Sequence, residues 1–279
     1  VLFVLFIIIP IIAAIGLSFT YYNTIETPKF VGLENYLNLF TNDDVFMRYV
    51  LPNTVIYAIC IGIGGYILAF ILAWALSQIT KGPRTVLALI IYSPSMTGGV
   101  MLSTVWSVIF NGSESGYLNY ILLKFNIIDQ PVVWLSSEKH LLWIMIVVTL
   151  WSSMGIGFLS MLSGILNVNE ELYEAAYIDG VKNRFQEIIY VTIPSAKPQM
   201  LFGAVMSIVN TFQSAGIGTV LSGANPTPGY SGQLIVSHIE DYGFLRYEMG
   251  YAAAVSVVLL AGIYLMTKGV NKLLSSKDE

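Results

Sequence analysis

Long apolar runs separated by shorter polar intervals make up most of this chain, and their lengths suit lipid better than a protein core. A helix needs about 20 consecutive apolar residues to cross the hydrocarbon of a bilayer. Six runs approach that length, at 1–20, 53–79, 85–110, 140–166, 199–221 and 248–273, and they predict six transmembrane helices with both termini on one side. The chain opens on Val1 inside the first run, which predicts a first span whose leading residues precede Val1. Pro10 predicts a kink in that span, because proline lacks a backbone donor and neighbouring helices must satisfy the freed carbonyl. Gly62, Gly64 and Gly65 in the second run predict a close contact with another helix.

The polar intervals carry patterns of their own. Leu33, Tyr36, Leu37 and Phe40 recur at i, i+3, i+4 and i+7, the spacing of an amphipathic helix lying at the outer surface. A second such segment is expected over 116–122. The longest polar interval, 167–198, reads as a helix pair. Asn167 and Asn169 can each cap a helix, and Glu170, Glu171 and Glu174 fall in the first turns, where the positive end of the helix dipole favours them. Ala175, Ala176 and Gly180 give a small-residue face, Gly180 breaks the helix, and a second helix runs through Phe185, Ile188, Ile189 and Ile193 until Pro194 stops it. On these grounds the pair suits docking to a partner and capping of the bundle equally well.

Composition turns this pattern into a class. Of 279 residues 56% are hydrophobic and 11% charged, against about 25% charged in soluble domains, and mean hydropathy is +0.72. The chain reads as one integral membrane domain over 1–279, with no room for a sizeable soluble domain. Its net charge of -4 and lack of any basic run exclude a nucleic-acid binder. The single cysteine, Cys60, sits in an apolar run and reads as a small buried hydrophobe. Placing the 80–85 loop, the 167–198 loop and the C-terminus inside gathers Lys81, Arg84, Lys182, Arg184, Lys197, Lys268, Lys272 and Lys277, eight of the 13 basic residues. Lys29, Arg48, Lys124, Lys139 and Arg246 then lie outside, so the central loop is expected to be cytoplasmic.

Candidate chemistry is mostly neutral. No GxxxxGK[ST] loop occurs, and spans two to five hold no Asp, Glu, Lys or Arg in their central portions, so the chain alone couples neither ATP nor an ion gradient. His140 and His238 fall near loops and read as surface or interface residues; no metal ligand set or cofactor motif is visible. Hydrogen-bonding groups cluster instead in Ser93-Pro94-Ser95-Met96-Thr97-Gly98-Gly99, in Trp151-Ser152-Ser153-Met154-Gly155, and at Ser207, Asn210, Thr211, Gln213 and Ser214. Hydroxyls, amides and an indole suit an uncharged polyhydroxyl solute. The competing reading is that they join helices by bonds of about 0.6 kcal/mol each. A phosphorylated solute would require Arg or Lys in the path. A membrane enzyme would require paired carboxylates or a His cluster at depth, and a self-contained channel would have no use for the 167–198 element.

Glu174-Ala175-Ala176 with Asp179-Gly180 and Ile193-Pro194 resembles the EAA loop of permease subunits in binding-protein-dependent ABC importers. Phe30-Val31-Gly32-Leu33-Glu34-Asn35-Tyr36 is similar to the FVGLxNY segment of the carbohydrate branch, the maltose and glycerol-phosphate type permeases. Gly250-Tyr251-Ala252-Ala253-Ala254, and Trp106 followed by Gly116 and Asn119, fit as well. The resemblance covers essentially the whole chain. It implies an all-α, six-span type I ABC importer permease with a cytoplasmic EAA coupling loop, multi-pass in the bacterial cytoplasmic membrane, both termini cytoplasmic. Such a chain is no enzyme, since ATP is hydrolysed by a separate dimeric ATP-binding subunit.

The resemblance further implies that Glu174, Ala175, Ala176, Asp179, Gly180 and Pro194 couple to that ATPase. A second, homologous permease completes the pathway, and a solute-binding protein docks outside, around 111–139 and 222–247. Trp151, Ser153, Ser207, Asn210, Thr211, Gln213 and Ser214 are the expected substrate-pathway residues, the solute being a sugar, specifically an oligosaccharide, or alternatively a polyol or glycerol phosphate. One departure stands out: the stretch from Gly180 to Pro194 is one residue longer than the family's usual spacing, and Val181 stands where Ala is common. A local irregularity in the second coupling helix is therefore expected.

Overall fold

In lipid every backbone polar group must be paired within its own segment or a closed barrel, so long apolar runs fold as helices unless they form strands of a barrel. Here they fold as helices. A computed structural model describes residues 2–97, 99–213 and 216–274, and the side chains of all of these except 99, 100, 213, 270, 271, 273 and 274. Among the described residues, Phe46–Ser77 and Met249–Gly269 are each long and apolar enough to cross a membrane. Two interrupted pairs, Lys81–Met96 with Met101–Ile109 and Leu141–Ser152 with Ile156–Leu166, bring the number to four if each pair is one span; Val4–Ser18 is a shorter apolar helix.

Several run boundaries differ from the sequence pattern. The second helix begins at Phe46, not near residue 53, because Phe46 and Val50 bury completely against Leu39, Ile235, Tyr251 and Val255. That burial carries the helix through Pro52, which follows a π-helical segment, Phe46–Val50. The 85–110 run is interrupted by a 3₁₀ turn at Ser93–Met96, as its Ser-Pro-Ser sequence suggests. The 140–166 run is interrupted where Gly155 leaves the helical backbone, at φ −93° and ψ −144°. The 199–221 run consists of Lys197–Gln213 and Ile217–Ser222.

The chain divides into two compact units, one of residues 1–57, 99–146 and 212–266, the other of 58–98, 147–211 and 267–279. In the first, the helix Val4–Ser18 ends where Ser18 and Thr20 turn their hydroxyls back onto the carbonyls of Ile15 and Leu17. A short antiparallel ladder follows, pairing Thr20–Tyr21 with Lys29–Phe30. Gly32, at φ +62°, then turns the chain, a conformation that glycine adopts without steric cost. Asn35, buried, donates from Nδ2 to the carbonyls of Ser18 and Thr20, 2.9 Å each, and Tyr36 Oη donates to Ser18 Oγ at 2.7 Å. The FVGLENY segment is thus a lock on the end of the first helix. Gly250 closes the lock from the other side, because a Cβ there would run into the Thr20 carbonyl oxygen.

The amphipathic stripe proposed for this segment points outward. Leu33, Leu37 and Phe40 are exposed, whereas Asn35 and Leu39 are buried. An apolar face turned away from the protein is what a helix lying in a bilayer interface presents. A second lock sits at Asn119, which is fully buried and donates to the carbonyls of Asn111, Ser113 and Val132 while accepting from Trp134 Nε1 at 2.8 Å.

The second unit is built on contact between the helices Gly65–Ser77 and Ile156–Leu166. Ala69, Ala73 and Leu76 pack with Phe158, Met161, Leu162 and Ile165, and with Met200 of the helix Lys197–Gln213. Small residues allow backbones to approach, which matters where lipid gives no hydrophobic drive to association. A second contact, of Ile156–Leu166 with Lys197–Gln213, is the one that requires glycines, at Gly157, Gly164 and Gly203: a Cβ on Gly164 would lie 2.7 Å from Gln199 Cβ, and one on Gly157 3.3 Å from the Gly203 carbonyl. Of the three glycines singled out by sequence, Gly65 and Gly62 face ordinary contacts with Ser153 and Thr211, and Gly64 faces open space.

Candidate functional site

The 167–198 interval folds as two helices joined at Gly180. Asn169 caps the first, Glu170–Ile178, its side chain accepting from the Glu171 amide. Asn167 instead ends the helix before it and donates to Ser163 Oγ. Gly180 has φ +99°, so the turn requires a residue without Cβ strain. Asn183 then caps Arg184–Glu187 by accepting from the Gln186 amide.

The two helices are stapled by a group that sequence reasoning did not single out. Glu187 is 4% exposed. It accepts from Tyr177 Oη at 2.6 Å and from Arg184 Nη1 at 2.9 and 2.8 Å, and Tyr173 Oη lies 3.1 Å from Thr192 Oγ1. The hydrogen bond to Glu187 pushes the Tyr177 phenol above its usual range, and a bond to the same carboxylate raises Arg184. Arg184 and Glu187 stand three residues apart on a helix, which is the one signal of this pair that the sequence offered.

Glu174, Ala175, Asp179, Gly180 and Pro194 are exposed and Ala176 half-buried. Ile178 and Phe185, 87% and 70% exposed, sit beside them. The pair therefore presents carboxylates, small residues and two large apolar side chains on a frame held from beneath. Pro194 does not stop the second helix. The helix passes through a π-helical segment, Ile188–Thr192, and continues as Ile193–Ser195, with the break at Ala196. Proline is tolerated here because it occupies the first turn after the π segment. A π turn holds more residues than an α turn, and this one lies between Gly180 and Pro194.

Three of the proposed pathway residues come together in the second unit. Ser153, Ser207 and Asn210 line a cavity of about 20 Å³ with Tyr66, Gly65 and Gly157. That volume holds about one water molecule. Ser207 Oγ donates to the Gly62 carbonyl at 2.9 Å, Thr211 Oγ1 to the Ser207 carbonyl at 2.8 Å, and Ser153 Oγ to the Leu150 carbonyl at 2.8 Å. The hydroxyl oxygens of Ser153 and Ser207 keep lone pairs as acceptors. Tyr66, which sequence reasoning missed, has a buried hydroxyl with no hydrogen-bond partner. Thr211 is buried beside Gly62, and Trp151 is 47% exposed and does not line the cavity. Gly98, Ser214 and the side chain of Gln213 lie outside the described residues.

The first unit holds a buried polar cluster that joins distant parts of the chain. Asp43 Oδ2 accepts from Tyr251 Oη at 2.6 Å and lies 3.0 Å from His238 Nε2, while its Oδ1 accepts from the Phe46 amide at 2.8 Å. Burial alone would raise the Asp43 carboxyl; the bonds from His238, Tyr251 and Phe46 outweigh it and hold the group down to about 2. His238, expected at a surface, is 2% exposed and packs on Phe46, Tyr242 and Tyr251. Asp43 lies 195 residues from His238 and 208 from Tyr251, separations no local pattern reveals.

Residues 54–277 match the family described as "Binding-protein-dependent transport system inner membrane component". The chain belongs to that family. It is thus a permease component of ABC transport systems and not itself an enzyme. This permease is 32% identical over 265 residues to the arabinooligosaccharides transport system permease protein AraP of Bacillus subtilis (strain 168), covering 95% of this chain and 82% of that one. The probable ABC transporter permease protein YesP of the same organism is 31% identical over 269 residues, covering 95% of this chain and 84% of that one. Among solved structures, a chain of a bacterial ABC transporter involved in the import of the acidic polysaccharide alginate superposes with a TM-score of 0.81 at 20% identity, covering 99% of this permease and 92% of that chain. The permease therefore has the helical fold of an ABC importer's membrane subunit.

Proposed function

We propose that this permease is the membrane-spanning subunit of an ATP-driven importer of a carbohydrate, specifically an oligosaccharide, and forms half of the translocation pathway. In this reading six helices cross the membrane, both termini and the 167–198 helix pair are cytoplasmic, and a second, homologous permease completes the path. A dimeric ATP-binding subunit grips Glu174, Ala175, Ala176, Asp179 and Gly180, with Pro194 at the rim, and a solute-binding protein delivers the sugar from outside.

The observation that carries the reading is the helix pair itself. Its outer face is exposed, small and acidic, and its inner face is fixed by Glu187, Tyr177 and Arg184. A rigid element of this kind transmits a partner's closure as a rigid-body movement. The carbohydrate assignment is supported by the relatives: AraP is named for arabinooligosaccharides and the solved importer for alginate. The cavity at Ser153, Ser207 and Asn210 offers neutral hydrogen-bonding groups, and no Lys or Arg lines it, which disfavours a phosphorylated solute. At about 20 Å³ it has no room for a sugar ring, so the solute enters only when the helices part, as alternating access requires.

The test is uptake of labelled oligosaccharide into vesicles carrying the complete complex. Replacing Asn210 and Ser207 with Leu should remove uptake while leaving assembly intact. Unchanged uptake would put the pathway elsewhere.

A further inference from the structure

On the first unit, a cleft of about 310 Å³ opens between the ladder at Thr20–Tyr21, the FVGLENY lock and the start of the last helix. Tyr21, Tyr22, Glu34, Asn35, Asn38 and Glu248 line it, together with Val31 and Tyr251. No Lys, Arg or His is among these residues. Of the nearby cations, Lys29 pairs with Glu26 at 2.6 Å, and Arg246 pairs with Asp241 at 2.7 Å and lies over the Tyr242 ring while also attracting Glu248 at longer range. Among the described residues, neither Glu34 nor Glu248 carries a side-chain hydrogen bond or an ion pair.

Asn35 adds a second, independent feature. It is 8% exposed, its Nδ2 is spent on the Ser18 and Thr20 carbonyls, and its Oδ1 accepts no bond from the protein. Asn38 Nδ2 and the Tyr21 and Tyr22 hydroxyls are neutral donors in this cleft, but its charged groups are two carboxylates, beside the acceptor oxygen of Asn35, and these call for a cationic ligand made of donors. Arg and Lys side chains are donors only, and tyrosine rings beside the carboxylates add a face on which a cation rests. The walls are held by the Asn35 lock and by the fit of Gly250 against Thr20, so little ordering is needed on binding.

We propose that this cleft is the receptor for a basic side chain, Arg or Lys, on the solute-binding protein, and that Glu34 and Glu248 help select the cognate binding protein. The inference rests on the importer reading, with the 19–45 segment outside the membrane. It extends the docking contact from the end of the 222–247 loop, at Glu248, to Glu34 of the FVGLENY segment. Glu34 fills the one open position of the FVGLxNY pattern. The fixed positions around it build the lock, and the open one supplies charge.

The test is ATP hydrolysis by the complete complex in liposomes, titrated with its solute-binding protein loaded with sugar. A Glu34→Gln, Glu248→Gln double variant should raise the half-saturating concentration of binding protein about tenfold at low salt with the maximal rate unchanged. The gap should close near 0.5 M salt, roughly, where screening removes the wild-type advantage. Because both side chains are exposed, the variant complex should melt with the wild type, and the single Glu34→Gln variant gives an intermediate shift if the pair together impairs assembly. An unchanged half-saturating concentration overturns the proposal. So does weaker binding of free oligosaccharide to the variant in the absence of binding protein, which would make the cleft a saccharide subsite. If the wild-type complex itself is not stimulated by its binding protein, the importer reading fails, an outcome distinct from both.

Discussion

Tyr177 donates its phenolic hydrogen to Glu187 at 2.6 Å, joining the two helices of the 167–198 element across the turn at Gly180. The bond lies on the inner side of a frame whose outer side carries Glu174 and Ala175. Loss of the carboxylate should therefore change how the frame transmits force without removing anything a partner touches. Glu187→Gln is expected to lower solute-stimulated ATP hydrolysis several-fold in the reconstituted complex and to speed proteolysis within 167–198, with membrane insertion unaltered. Equal hydrolysis and equal proteolysis would show the staple to be idle.

The turn itself makes a separate demand. Gly180 at φ +99° lies in a backbone region that side chains strain. Gly180→Val should destabilise the element by about 1–2 kcal/mol and reduce coupling. Hydrogen exchange of the amides around the turn checks it, with faster exchange expected in the variant.

Glycines in the second unit should sort by contact and not by sequence position. Gly164→Ala forces a methyl group against Gln199, and is expected to cost about 1–3 kcal/mol through overpacking. Gly64→Ala meets nothing within 4 Å and should be neutral or slightly stabilising, since alanine favours the helix. Thermal unfolding of the purified complex compares the two; equal melting temperatures would contradict this packing.

Asp43 predicts an acid limit. Its carboxyl is held down to about 2, below the ordinary value of 3.8, so its contribution is present above the ordinary value and is lost as pH falls through the folded one. The size is about 2 kcal/mol. Wild-type protein should lose stability between about pH 4 and pH 2, while Asp43→Asn should be less stable at neutral pH and flatter over that range. Melting curves at stepped pH give the comparison.

Much of this was legible in the chain. The apolar runs place most of the long helices, and Asn169, Gly180 and the Ser93-Pro94 break act as their local chemistry requires. What could not be read depended on contact between distant segments. Gly157, Gly164 and Gly203 look no different from Gly64 until the helices are packed. His238 sits near a loop in sequence and is buried in space, because Asp43, Phe46 and Tyr251 converge on it. Pro194 misled because a π turn before it supplies a helix start in place of a helix end. At the cavity, Ser153 on one span and Ser207 and Asn210 on another stand out as polar groups in the sequence, whereas Tyr66 lies in an apolar run.

The central claim is that energy enters this permease through Glu174 and its neighbours. It is tested most directly by measuring solute-stimulated ATP hydrolysis in proteoliposomes assembled with Glu174→Lys. The expected result is a loss of about tenfold or more in stimulated hydrolysis, with membrane insertion retained. Stimulated hydrolysis at the wild-type rate would contradict the claim.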